Sequence, residues 1–141
     1  MPKINYFSED IQFQLKAKRK HTSWLKDCIS EEGFKLSELN FILCSDEYLL
    51  GINQDFLQHD YYTDVITFDN SEAPKIILGD IFISLDRVAE NALQFGSTKS
   101  EELRRIMVHG TLHLLGYRDK TKAAKTEMTF KENYYLQKFT L

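Results

Sequence analysis

Apolar positions recur along this chain in two rhythms, one near every second residue and one near every third or fourth, and the switches between them mark its elements. Residues 4–7 and 11–15 read as extended. Trp24, Leu25, Cys28 and Ile29 then share one helical face, and Gly33 supplies the stop. Over 37–44, Leu39, Phe41 and Leu43 alternate with Asn40, Ile42 and Cys44, giving a strand apolar on both faces toward its end. Ser45 or Asp46 can cap a helix carrying Leu49, Ile52 and Phe56. Two strand-like runs follow, 65–68 and 76–84, joined by a turn at 70–74. Leu85, Val88, Ala89, Ala92 and Leu93 make an amphipathic helix closed by Gly96.

The next helix opens on Thr98-x-x-Glu101, a capping box. Leu103, Ile106, Met107, Val108, Leu112, Leu114 and Leu115 cover most of its circumference, and a helix apolar nearly all round belongs in a core. Gly116 ends it, and Thr121 starts a last helix with Ala124, Met128, Tyr135 and Leu136 inward. This order of elements predicts an α+β fold, a small mixed sheet surrounded by helices with one helix central and buried.

With 141 residues, 43% of them hydrophobic and 13% aromatic, the chain suits a single domain over 1–141 with a core that needs no staples. Cys28 and Cys44 lie far apart, without a CxxC or Cys/His zinc spacing, and read as buried free thiols suited to a reducing compartment. The start, MPKINYFSED, has no signal pattern, and no apolar run approaches the ~20 residues of a membrane span, so a soluble cytoplasmic protein is expected. A formal net charge of −3 neither favours nor excludes a polyanionic partner. Local clusters say more: Lys16, Lys18, Arg19, Lys20 and His21 form one basic run, and Arg118, Lys120, Lys122 and Lys125 another. Such runs are ordinarily solvated surface and gain meaning only beside a reactive cleft.

The chemistry concentrates in His109-Gly-Thr-Leu-His113-Leu-Leu-Gly116-Tyr-Arg-Asp119. Histidines four apart stand one helical turn above each other, so both imidazoles can reach one ion. Gly116 can take the left-handed conformation that reverses the chain and returns Asp119 toward the two rings. Three protein ligands, His109, His113 and Asp119, with a fourth position open, are the layout of a catalytic rather than a structural zinc. The alternative is a pair of core histidines bonded to backbone carbonyls. The spacing also resembles the HExxHxxGxxH helix of zinc proteases, but Gly110 stands where their general base would be, which disfavours peptide hydrolysis.

On these residues the chain resembles the bacterial YbeY family of metal-dependent endoribonucleases and rRNA maturation factors. His109-Gly-Thr-Leu-His-Leu-Leu-Gly-Tyr117 matches that family's HGxLHLxGYDH signature. Asn53 with Tyr62-Thr-Asp-Val-Ile-Thr-Phe68 is similar to its LN…PTDVLSF stretch, and Leu78-Gly-Asp-Ile-Phe-Ile-Ser84 to its LGDIxIS strand. The resemblance spans about residues 37 to 137. It implies a small α+β sandwich, one Zn2+ or other divalent metal per chain, single-stranded RNA as substrate, and rRNA and ribosomal particles as partners. The expected reaction is phosphodiester hydrolysis, by metal-activated water or by attack of the RNA's own 2′-hydroxyl, and no side chain is assigned as general base.

Three positions depart from the family pattern. Asp119 replaces the last histidine, which makes the ion a weaker Lewis acid and also suits iron, nickel or manganese. Arg118 takes the place of the signature's Asp, and Leu57 that of an arginine expected to face the cleft, with His59 and Asp60 near enough to substitute a polar role. Asp64 reads either as a structural cap or as the group that orients a histidine. Asp80 and Asn53 read as structural, His21 and His59 as surface residues, and Tyr61, Tyr62 and Tyr117 as rim or core packing with base stacking as the sharper possibility. Two other classes stay open: a non-catalytic ribosome-assembly factor stabilised by its metal, and a metal hydrolase of another substrate.

Overall fold

A computed structural model describes residues 1–139. Its elements run β1 (Lys3–Ser8), α1 (Lys18–Glu31), β2 (Lys35–Cys44), α2 (Asp46–Leu57), β3 (Val65–Asp69), β4 (Ile76–Ser84), α3 (Leu85–Phe95), α4 (Lys99–Leu114) and α5 (Lys122–Leu136). The four strands form one mixed sheet in the order β1-β2-β4-β3. β1 and β4 both run parallel to β2, and the β3–β4 hairpin supplies the antiparallel edge. The expected α+β architecture with a central buried helix is what the chain adopts.

Alternation along the strands divides the sheet into two unlike faces. Leu39, Phe41, Leu43, Ile77, Ile81 and Ile83 pack with α1 and α4 in the main core. On the other face Cys44, Leu49 and Ile66 form a smaller cluster under α2, flanked by Phe68 and Phe82. Beyond that cover, Asn5, Asn40 and Asp80 occupy paired positions on three neighbouring strands. Asn5 Nδ2 donates to Asn40 Oδ1 at 2.9 Å and Asn40 Nδ2 to Asp80 Oδ1 at 3.0 Å, which gives Asp80 the structural role expected of it.

Helix α4 lies between the sheet and helices α3 and α5. Two glycines allow its close approach. A Cβ at Gly110 would sit 2.9 Å from Ile81 Cγ2, and one at Gly79 would sit 2.5 Å from the Phe68 carbonyl oxygen and 3.3 Å from Leu114 Cδ1. The capping box at Thr98 and Glu101 is present, with N–H···O distances of 2.9 and 3.1 Å. Burying Leu103, Ile106, Met107, Val108 and Leu112 matters more, since each such side chain is worth roughly 1.5–3 kcal/mol against about 1 kcal/mol for a cap.

Several expectations are corrected. Residues 11–15 form irregular chain instead of a strand: they pair with no neighbouring strand, although Leu15 is buried and Ile11 packs partly buried against the core. Phe56 and Leu93 are exposed, each at the edge of an apolar stripe that the packing does not use in full. His21 is buried: its Nδ1 lies 2.9 Å from the Ala17 carbonyl and its ring tilts against Phe139. Both cysteines are buried free thiols, and desolvation pushes each up to about 12. Among the described residues no helix is long and apolar enough to cross a membrane.

Candidate metal centre

The end of α4 and the reversal after it are one structure with the candidate ligands. Tyr117 N–H donates to the Leu112 carbonyl and Gly116 N–H to that of His113, both at 3.0 Å, the paired bonds of a Schellman terminus. Gly116 adopts φ +104, which a side chain would resist. The same turn presents the Tyr117 carbonyl to His113 Nδ1 at 3.0 Å. A carbonyl only accepts, so His113 carries its proton on Nδ1 and its Nε2 lone pair is left facing outward.

His109 is fixed from a different direction. Its Nδ1 lies 2.5 Å from Glu132 Oε2 on α5, and Glu132 Oε1 in turn accepts from Arg105 Nη1 at 2.8 Å. Arg105 Nη2 also reaches Asn133 Oδ1 at 2.7 Å. The carboxylate that orients His109 is thus Glu132 and not Asp64, the residue for which the sequence suggests that role. Asp64 instead takes Asn91 Nδ2 on Oδ2 at 3.2 Å, while its carbonyl accepts from Ser84 N–H at 3.0 Å. A signal for Glu132 was available: it shares the inward face of α5 with buried Met128 and Tyr135 at i, i+4 and i+7, where an unpaired carboxylate would be costly.

With both Nδ1 atoms engaged, the two Nε2 atoms meet at 3.0 Å, and Asp119 Oδ2 lies 3.4 Å from the first and 3.3 Å from the second. The sequence-derived trio is therefore brought together, each residue offering one ligand atom within 4.8 Å of the others. Three acceptors converging in this way repel unless a cation or a proton lies among them, so the donor set fits a divalent metal. The titration of the rings agrees. Burial opposes a charge on His109, but its bond to Glu132, that carboxylate's charge and Asp119 hold its pKa above the ordinary value. Burial and the neighbouring His109 push His113 below its own.

The trio opens into a cleft of ≈ 490 Å³. Asn53, Leu57, His59, Tyr61 and Asp64 line the wall built by α2 and the loop to β3, and Arg118 and Lys120 line it on either side of Asp119. Asn53, buried, ties that loop to α2 by donating to the Tyr61 carbonyl at 2.9 Å. Tyr62 is engaged outside the cleft by Glu47 at 2.5 Å, and Tyr117 by Glu32 at 2.7 Å. Neither lines the cleft. Lys122 and Lys125 are exposed and do not line it either.

The profile of the family described as Endoribonuclease YbeY matches residues 3–140. A relative of that name from Cytophaga hutchinsonii is 53% identical over 130 residues, 92% of this chain and 91% of its own length. Another, from Amoebophilus asiaticus, is 47% identical and covers 96% of this chain and 94% of itself. A solution structure of a Thermotoga maritima protein superposes with a TM-score of 0.67 at 29% identity, over 97% of this chain and 89% of that one.

Proposed function

The chain belongs to the endoribonuclease YbeY family, and on that premise we propose that it is a single-metal endoribonuclease cleaving single-stranded RNA in rRNA maturation in the cytoplasm, on or near ribosomal particles. The observation that carries the reading is the convergence of His109, His113 and Asp119 on one point at the floor of an open cleft. These three residues would hold one divalent ion, with zinc as the first candidate for a set of two imidazoles and a carboxylate. Such an ion supplies Lewis acidity toward a phosphoryl oxygen and acidifies a water ligand.

The chain's own groups do the rest. Glu132 and the Tyr117 carbonyl lock both imidazoles with Nε2 forward, so no reorganisation is needed when an ion enters. Arg118 and Lys120 place positive charge on the cleft lip, where a phosphate backbone is attracted. At position 110 any side chain would run into Ile81 on the sheet, which supports setting peptide hydrolysis aside. Leu57 on the cleft wall favours one competing reading, a ribosome-assembly factor that binds RNA without cutting it.

The deciding experiment compares cleavage of defined single-stranded RNAs by the wild type and His113→Ala, in chelated and in metal-restored buffer. Cleavage only by the metal-restored wild type is expected. Equal activity in all four conditions refutes the nuclease reading, and RNA binding without cleavage favours the assembly factor. Elemental analysis of the purified protein identifies the ion.

A further inference from the structure

The loop between α2 and β3 is built more firmly than an exposed connection requires. His59 N–H donates to the Asn53 carbonyl at 3.1 Å, Asn53 Nδ2 donates to the Tyr61 carbonyl at 2.9 Å, and Gln54 Nε2 donates to Asp60 Oδ1 at 2.6 Å. Gln58 takes φ +56 to begin the reversal. These bonds display two aromatic rings as a unit. The His59 and Tyr61 rings stack with centroids 5.2 Å apart and planes inclined by 21°, and the Tyr61 hydroxyl is 3.0 Å from His59 Nδ1.

The pair does nothing for the core. Tyr61 stays 55% exposed, and both rings line the same cleft as His109 and His113. Leu57 adds an aliphatic surface on that wall, and Arg118 and Lys120 add charge. Exposed π-faces beside a cationic track are what single-stranded nucleic-acid sites use, because every base presents a face to stack while its phosphates seek charge. Bases inside a duplex are already stacked and would gain nothing there.

We propose that the stacked His59–Tyr61 pair is the binding surface for an unpaired nucleobase of the RNA strand, next to the phosphate that reaches the metal ligands. This rests on the endoribonuclease reading above. The contact between the Tyr61 hydroxyl and His59 Nδ1 keeps the two rings in their stack, and a further ring stacking on the pair can be any of the four bases.

The test is fluorescence anisotropy of the full chain with short labelled single-stranded RNAs made abasic at one position at a time, in chelator so that no turnover accompanies binding. For the wild type, one abasic position weakens binding about tenfold, within the range of base–aromatic stacking. Tyr61→Ala weakens binding of the intact RNA by the same factor and no longer responds to that abasic position, while Tyr61→Phe keeps most of the affinity. Circular dichroism confirms that these surface variants are folded. If wild type and Tyr61→Ala respond equally at every abasic position, the platform is refuted and the nuclease reading stands. If the wild type binds no RNA at all, both fall together.

Discussion

Replacing Glu132 by alanine removes the acceptor that holds His109 Nδ1 at 2.5 Å and Arg105 Nη1 at 2.8 Å. The His109 ring can then turn, or move its proton to Nε2, and either change spoils the lone pair that an ion requires. Loss of such an orienting partner costs about 10–100-fold in metal affinity, or roughly 1.4–2.8 kcal/mol. A second effect has the opposite sign. Glu132 also raises the His109 pKa, so its removal lessens competition from protons. The two effects oppose each other near and below neutrality. Above the raised His109 pKa only orientation remains, and on that alkaline plateau the ratio of wild-type to variant affinity is largest. Competition with a chromogenic chelator across a pH series, followed upward until the ratio is constant, measures both. Glu132→Gln still accepts a hydrogen bond from Nδ1 but carries no charge, so a loss of only a few-fold on the alkaline plateau is expected. An alanine variant that is folded by circular dichroism and binds zinc within about twofold of wild type on that plateau would refute the orienting role, since the predicted loss begins near tenfold.

Four further outcomes are expected. Gly110→Ala sets a Cβ 2.9 Å from Ile81 Cγ2; overpacking of about 1–3 kcal/mol outweighs the gain of about 1 kcal/mol in helix propensity, so urea unfolding reports a less stable protein. Thr98→Ala breaks the capping box and costs about 1 kcal/mol in the same assay, with metal affinity unchanged because the cap is at the far end of α4. Metal affinity of the wild type rises with pH through the raised His109 pKa, since the ion replaces a proton that persists above the ordinary histidine range; a flat profile across pH 6–8 would contradict it. The fourth concerns Glu32, where burial raises the pKa but bonds from Tyr135, Tyr117 and Lys131 overcome it and hold the group below its ordinary value. Its stabilisation is present above the unfolded-state pKa and is lost as pH falls through the lower folded value, so the stability gap between wild type and Glu32→Gln closes under acid.

What could be read from the sequence was what is local. The capping box at Thr98, the stop at Gly116 and the i, i+4 histidines are short-range patterns with one physical solution each, and the turn that returns Asp119 follows from them. Strand order could not be read, because the parallel pairing of β1 with β2 joins segments separated by a whole helix. The period-two pattern over 11–15 misled for a related reason: alternation signals a strand only where a neighbouring strand is available to pair. His21 looked like part of a surface basic run, yet the Ala17 carbonyl satisfies it in the interior. Glu132 was missed because its partner is 23 residues away on another helix, although its place between Met128 and Tyr135 was visible.

The Glu132–His109 bond sets an order on the making of the site. His109 and His113 lie on α4 and Asp119 on the turn after it, whereas Glu132 lies on α5, so the donor set can gather locally but gains its orienting carboxylate only through a tertiary contact. Until α5 docks, the first imidazole is free to hold its proton on either nitrogen, and the cleft has ligands without a preorganised grip. Full affinity therefore arrives with the closing of the fold instead of with the motif.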